Sequence, residues 1–497
     1  MKPSEKPRRI FCLSNGVLDT ATGELSSEIP LSVLLATGED GVIAGFNLYP
    51  RICSLALGIY GDEGWTAYVH RQGERIRDTH VRGIIYYSRL TYRFPKVGGR
   101  HERKRPRTKK WRILNLELFC EYTQDREEIE HATDSLIELA RLRNVTLPYS
   151  PGSFGGKMLR GSPLWTRDRK PAPWFISDAA RERLPGNHYA LRAGFRKVSE
   201  AVYVDQKSSH HSIASTIDLP HPHWLRARGR FRAVEAGESP VWKVSAEQLI
   251  HKRHVGLLIA TVDCRTIPEK HLHLYPKWAQ VRGERQVWVW TPELRLLADR
   301  LYDKVKLIHV SAALTSHHAD DVISEYAQWS LDRLNESWHP AIKPALLAAY
   351  GMLAIRSSAG FDTYTLHGRS KPPRADRVKL PLVDGAVYRS TIERKWTPSV
   401  QNVIARGVIE SETMTRSLEF ARTLESSGIP VLQVYADGLI ADTRELPLMP
   451  PGWRWAGVLA NVSARTSNSI VSTNLVRMPG IPQGRRVAHL DKRSACL

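Results

Sequence analysis

The sequence contains no run of about 18 apolar residues, the length a helix needs to cross a bilayer, so a membrane-spanning role is set aside. Its five cysteines, Cys12, Cys53, Cys120, Cys264 and Cys496, are scattered, with no paired spacing for zinc and an odd number for disulfides. They read as reduced thiols in a cytoplasmic protein. The opening residues, MKPSEKPRRIFCLSNG, are basic but lack the apolar core of a secretory signal. Acidic residues are outnumbered: 72 Lys and Arg face 51 Asp and Glu, a formal charge of +21, accompanied by 14 Trp and 17 Tyr. Basic side chains release counterions from phosphates and rings stack on unpaired bases, so this balance suits a polyanionic partner. The 497 residues are 42% hydrophobic and 25% charged, which excludes a disordered chain and allows a large core with several domains.

Two stretches stand out. In VLQVYADGLIAD (431–442) a short apolar run leads to Asp437, and Gly438 permits a tight turn before the apolar pattern restarts. Asp437 is thereby expected at a hairpin tip. In AVYVDQKSSHHS (201–212), Val202, Tyr203 and Val204 lead straight into Asp205. Two strands that each deliver an Asp to one sheet edge make a hard, oxygen-rich site of the kind Mg2+ prefers, and such a site fits two-metal phosphoryl transfer. A third stretch, AIKPALLAAYGMLAIR (341–356), reads as a helix with Lys343, Leu347 and Tyr350 on one face. Lys343 and Tyr350 are then two turns, roughly 10 Å, apart, a span that suits a nucleotide between an ammonium and a ring. Each feature also has a plain structural reading: Asp is a frequent turn-former, and an Ala/Leu-rich helix with a snorkelling Lys is ordinary core.

In this order the three stretches resemble the motifs of family B DNA polymerases. The family's D-x-x-S-L-Y-P-S is similar to residues 205–212, matching at Asp205, Ser208 and Ser212. Its K-x-x-x-N-S-x-Y-G is matched by Lys343, Tyr350 and Gly351, with Leu347 and Ala348 replacing the Asn-Ser pair. Its Y-x-D-T-D-S aligns with Asp437 as the second, metal-binding Asp, Tyr435 then replacing the first Asp and Gly438 the Ser. In the other register Tyr435 matches the family Tyr and Asp437 the first Asp, leaving Leu439 at the second. Either way one acid of the pair is missing.

The resemblance covers roughly residues 185–482. It implies an α+β chain with a polymerase-like right hand, comprising a palm with an antiparallel sheet, helical fingers and a short or absent thumb, preceded by an exonuclease-like α/β domain. Residues 1–150, with strand-like runs at 30–36, 41–48, 52–60, 65–70 and 81–87, form that first domain. It carries no convincing D-x-E pair: Asp62 and Glu63 are adjacent, and Glu117 and Glu121 fit no such motif. RHERKRPRTKKWR (100–112) holds eight basic residues against one Glu, Arg103, Lys104 and Arg105 among them, and is read either as a phosphate-tracking loop or as a solvated one. A helix over 126–143 closes the domain. A Gly/Pro-rich linker at 151–200 follows, whose Arg192, Gly194, Arg196 and Lys197 can meet phosphates or act as plain linker. The palm's first part spans 201–290 with an insertion, the fingers 291–356, the palm's second part 357–482 with a loop at 357–397, and a vestigial thumb or tail 483–497.

By the same resemblance Asp205 and Asp437 hold two Mg2+ ions, with Mn2+ able to substitute. Lys343, Tyr350, Ser208 and His210 bind the nucleotide, His210 standing where the family has the Tyr that excludes a 2'-hydroxyl. The implied partners are primer-template DNA and dNTPs, with a terminal protein or processivity partner compensating a short thumb, in the cytoplasm of a cell carrying a phage or plasmid. Two other readings stay open: an inactive, polymerase-derived nucleic-acid-binding replication protein, and a metal-dependent nuclease or integrase using Asp205 and Asp263.

Overall fold

A computed structural model of the chain describes residues 8–13, 16–26, 41–46, 48, 65–71, 85–93, 108–147, 151–166, 169–171, 177, 180–185, 189–229, 255–297, 305–316, 318–336, 338–354, 358–366, 376–378, 387–395, 400–446, 449–466, 469–471 and 474–476. Arg103, Lys104, Arg105, the tail at 483–497, and the strand-like runs at 30–36 and 52–60 lie outside these residues.

The N-terminal part contributes β1 (Arg8–Leu13), β2 (Gly16–Asp19), β3 (Leu25–Ser26), β4 (Gly41–Gly45), β5 (Trp65–Arg71), β6 (Ile85–Arg93) and β7 (Thr108–Asn115). Helices α1 (Arg126–Leu142) and α2 (Pro151–Arg160) follow. Next come β8 (Tyr189–Leu191), β9 (Lys197–Gln206), α3 (Ser209–Thr216), β10 (Arg226–Gly229), β11 (Val255–Cys264), β12 (Gly283–Trp290) and β13 (Val305–Thr315). Helices α4 (Asp321–Asn335) and α5 (Ile342–Leu353) precede β14 (Ser358–Leu366), β15 (Asp376–Val378) and β16 (Val387–Lys395). The chain continues with α6 (Val403–Ser426), β17 (Val431–Tyr435), β18 (Gly438–Ala441), β19 (Trp453–Thr466), β20 (Ser469–Val471) and β21 (Asn474–Val476).

Three sheets result, and the fold is mixed α/β. A ten-stranded sheet runs β15-β16-β14-β5-β6-β7-β4-β1-β2-β3, with β1, β4 and β7 parallel. A four-stranded antiparallel sheet runs β10-β13-β11-β12. The seven-stranded sheet, β20-β19-β9-β18-β17-β8 with β21 beside β19, is antiparallel at every pairing, and it carries both Asp205 and the hairpin of Asp437.

The helices form for local reasons. Asp125 caps α1 by accepting from the amide of Glu127 (2.9 Å), and Ile129, Ala132, Leu136, Leu139 and Ala140 bury the face the periodicity marked. Asn402 caps α6 through the amide of Ala405 (3.1 Å), while its Nδ2 donates to Asp320 (2.8 Å) and to the carbonyl of Pro220 (2.8 Å). Asp320 is fully buried but also paired with Arg169, so the charge is matched by a guanidinium and an amide. This knot joins the start of α6, the start of α4 and the segment before β8. Most of α6 is buried, and Gly407 lets it lie directly on the Trp290 indole, where a Cβ would overlap the ring.

Two segments depart from the sequence expectation. Within the stretch read as linker, 151–160 is helix α2, with Phe154, Met158 and Leu159 buried in the core. Its glycines, which weaken helix propensity, are there for packing: a Cβ on Gly155 would overlap the backbone nitrogen of Ala349 in α5, and one on Gly156 would press on Met352. Similarly, 357–397 is not a bare loop. It contains β14, β15 and β16, and β14 pairs with β5, extending the N-terminal sheet. Pairing across some three hundred residues carries no local signal beyond alternation, which the many charges of this stretch obscure.

Alanine at position 155 gains about 1 kcal/mol of helix propensity, but the overlap is with backbone, which cannot swing aside. Gly155→Ala is expected to lower stability by about 1–3 kcal/mol, as overpacked cores do, seen as a lower urea midpoint. Gly351→Ala, where a Cβ meets nothing within 4 Å, is the control and leaves the midpoint unchanged or raised.

Candidate active site

The apolar runs before Asp205 and Asp437 become β9 and β17, and β9 lies between β18 and β19. Antiparallel register sets Asp205 opposite Gly438 on one side and opposite Arg454 on the other. Asp437 occupies the two-residue turn between β17 and β18, and its carbonyl accepts from the amide of Gln206 (2.7 Å). The two acids, far apart in sequence, therefore lie on adjoining backbone. A buried polar clamp holds them there: Gln206 Nε2 donates to the Thr413 carbonyl (2.8 Å) and to Ser417 Oγ (2.9 Å), and Ser417 Oγ donates to the Ala436 carbonyl (3.1 Å). One serine of α6 thus ties both acid-bearing segments to the same helix. Gly438 allows the close approach, because a Cβ there would sit 2.6 Å from the Val204 carbonyl oxygen and 3.3 Å from Asp205 Cβ.

Asp205 is not alone. Arg454 Nε lies 2.6 Å from its Oδ1 and Arg454 Nη2 2.9 Å from its Oδ2, a two-pronged ion pair. Asp205, and more weakly Tyr203 and Asp437, stabilise the guanidinium, raising its pKa. The carboxylate of Asp437 has no hydrogen bond among the described residues. As donors, two carboxylates on adjoining strands fit a hard dication such as Mg2+, which is satisfied by one or two carboxylates plus phosphate oxygens. Arg454 is the competitor for one of them. No cluster of three or more His, Cys, Asp or Glu able to hold a metal occurs among the described residues. Asp263 lies in the four-stranded sheet, opposite Glu284 and Lys306, not in the sheet of Asp205.

Past Asp205 the chain turns through Ser208, whose left-handed backbone (φ 49°) starts α3. His210 is half-buried, with Nδ1 3.3 Å from Ser209 Oγ; His211 is fully buried, and both rings lean on Tyr350 at centroid distances of 5.7 and 5.0 Å. Tyr350 is itself 1% exposed and its hydroxyl has no partner among the described residues. Helix α5 thus presents Tyr350 to the histidines of α3, and Lys343, half-buried in its first turn, stands near enough to His211 to bias its titration. Burial, reinforced by Arg406 and His211 at His210 and by Lys343 at His211, pushes both imidazoles down to about 3. They are neutral at physiological pH. Burial also pushes the Tyr350 phenol well up.

The remaining expected contacts divide. Arg196 and Lys197 are exposed on the segment entering β9, beside Gly194 in a left-handed turn (φ 76°). Arg192 is instead paired with Glu425 (2.6 Å) at the end of α6. Sequence reasoning missed Arg454, Arg406 and the Gln206–Ser417 clamp. Arg454 stands between Trp453 and Trp455, but nothing in that spacing points to Asp205.

No protein-family model and no curated protein sequence matches the chain. Solved structures do. Phi29 DNA polymerase complexed with single-stranded DNA matches at a TM-score of 0.56 and 10% identity, over 95% of this chain and 90% of that one. The same polymerase with primer-template DNA, as a post-translocation binary complex, matches at 0.55 and 10% over 92% and 85%. Its ternary complex with primer-template DNA and incoming nucleotides matches at 0.55 and 11% over 92% and 86%. The fold is Phi29-polymerase-like. At such identity the likeness speaks for the fold alone, and the Phi29-like chain's chemistry must be argued from its own residues.

His211 makes the site sensitive to acid. The unfolded chain takes up imidazole protons below pH 6.5, while folded His211 resists to about pH 3. Stability is therefore full above pH 6.5 and declines as pH falls toward 3, at ~1.4 kcal/mol per pH unit for one imidazole. His211→Phe, which keeps a ring against Tyr350, is expected to flatten the acid limb of a urea-stability profile by about that slope.

Proposed function

We propose that the chain is a DNA polymerase of family B type, transferring nucleotides to a primer 3' end under template direction by a two-metal mechanism. The observation that carries this reading is the juxtaposition of Asp205, on β9, and Asp437, in the adjoining hairpin turn, within a fold like that of a polymerase solved with primer-template DNA and incoming nucleotides. Asp205 and Asp437 would hold the Mg2+ ions, or Mn2+ in their place. When bound, these supply a lowered pKa at the primer 3'-hydroxyl and charge neutralisation at the leaving pyrophosphate.

The chain's own residues do the positioning that phosphoryl transfer mostly requires. Lys343 would supply positive charge at the nucleotide end of the site, while Ser208 and the first amides of α3 would point a helix N-terminus at the triphosphate. His210 would lie under the incoming sugar, with Tyr350 behind it as a rigid backing rather than as a second contact. Arg196 and Lys197 would meet backbone phosphates, with DNA and dNTPs as partners. The N-terminal sheet fits an exonuclease-like domain without a recognisable pair of catalytic acids. A terminal protein or processivity factor would be a further partner, in the cytoplasm of a cell carrying a phage or plasmid.

One observation favours a second reading. Both oxygens of Asp205 are engaged by Arg454, and the hairpin turn carries a single acid, as expected of an inactive, polymerase-derived nucleic-acid-binding protein. Primer extension separates the two. Asp205→Ala and Asp437→Ala are each expected to cut Mg2+-dependent extension by at least about 100-fold, with primer-template binding by gel shift largely retained. Full activity in either variant, or no metal-dependent extension by the wild type, refutes the polymerase.

His210 should also set sugar choice. An imidazole is smaller than a phenol and can hydrogen-bond a 2'-hydroxyl, so the chain is expected to discriminate weakly between ATP and dATP. His210→Tyr should sharpen the ratio of their incorporation rates. An unchanged ratio would clear His210 of that role.

A further inference from the structure

Arg454 is a side chain at the two acids that the polymerase reading does not use. Its position is fixed by the fold: β19 pairs with β9 so that Arg454 faces Asp205, and the flanking Trp453 and Trp455 pack into the core, Trp453 against Phe420 at 4.7 Å between ring centroids. Its backbone is thus pinned, while its side chain is 45% exposed and sits on a long flexible stem. Nε and Nη2 take one oxygen each of Asp205, whose side chain is only 15% exposed. Each of those oxygens keeps a second lone pair that a metal ion could use, but a guanidinium beside it would repel a dication. Coordination and the ion pair therefore compete.

Resting on the proposed metal site, we propose that Arg454 is a displaceable counter-cation built into that site: its guanidinium neutralises Asp205 when no metal is bound, and weakens divalent-ion binding there until it swings away. The pair is well placed for such an exchange. It is strong enough in geometry to hold Asp205 in its strand-facing orientation, yet open enough to solvent that the guanidinium regains water when it leaves. The Asp437 carboxylate, which has no hydrogen bond among the described residues and feels Arg454 only at longer range, is the acid at which an arriving ion has no ion pair to break. Arg454 is accordingly a positioning residue that sets the affinity and order of metal loading, not a group that touches the reacting atoms.

The test is Mn2+ binding, followed by loss of the free-ion EPR signal on the full chain without DNA or nucleotide, so that no turnover enters the measurement. Arg454→Gln is expected to bind Mn2+ about tenfold more tightly than wild type, equivalent to ~1.4 kcal/mol. Arg454→Lys, which keeps the charge but not the fork, should fall between them and guards against a folding defect in the first variant. Equal affinity in all three, or weaker binding in Arg454→Gln, overturns the role of Arg454 while leaving the metal site standing. Asp205→Asn in the wild-type and Arg454→Gln backgrounds distinguishes the deeper failure. Loss of a bound ion in both supports the site, whereas unchanged stoichiometry in both removes the metal reading and this inference with it.

Discussion

The pairing of β9 with β18 and β19 is the constraint on which the candidate site depends. Strand register admits no half-steps: sliding β9 by one residue would turn Asp205 to the other face and set Gly438 against a different partner. Two features pin it. Gly438 approaches Val204 and Asp205 more closely than a side chain would permit, and Ser417 of α6 bonds the segments carrying both acids at once. The clamp is buried and its hydrogen bonds are satisfied. Breaking one member would leave polar groups unpaired in the interior, which costs more than the bond itself contributes.

The same logic explains how a chain with a formal charge of +21 keeps its basic groups in order. Several arginines that composition alone would assign to a polyanion are spent internally: Arg169 on Asp320, Arg192 on Glu425, Arg143 on Glu325 and Arg295 on Glu412 and Glu419. These pairs bridge segments far apart in sequence and tie helices to one another and to the loops around them. Charge available to a nucleic acid is therefore less than the total, and it is concentrated where side chains are exposed, as at Arg196 and Lys197 beside β9.

What the sequence showed follows from which signals are local. Helices α1 and α5 were legible because each is an amphipathic or apolar run long enough to establish a period, and the turn at Asp437 because a glycine follows a short apolar strand. Helix α2 was not, since its glycines look like linker until Ala349 is seen behind them. The joining of β14 to β5 was not, since nothing near either strand names the other. In the site, acids ending apolar runs were visible one by one, and their proximity followed from a resemblance of motif order. Arg454 was beyond reach, because a residue opposite Asp205 is defined by register and not by spacing.

The departures from the family's motifs are physically linked. With one acid where the family has a pair, and with a glycine bringing β18 hard against Asp205, the hairpin offers fewer oxygens in a tighter space. An Asp left without a metal in a half-buried strand would carry an uncompensated charge, and the guanidinium of Arg454 supplies the compensation. Removing the ion pair therefore changes two things with opposite sign: it exposes Asp205 to like charge from Asp437, which disfavours the empty site, and it removes the positive charge that a dication would meet. A carboxylate arranged in this way has its charge matched within the fold itself, without any metal.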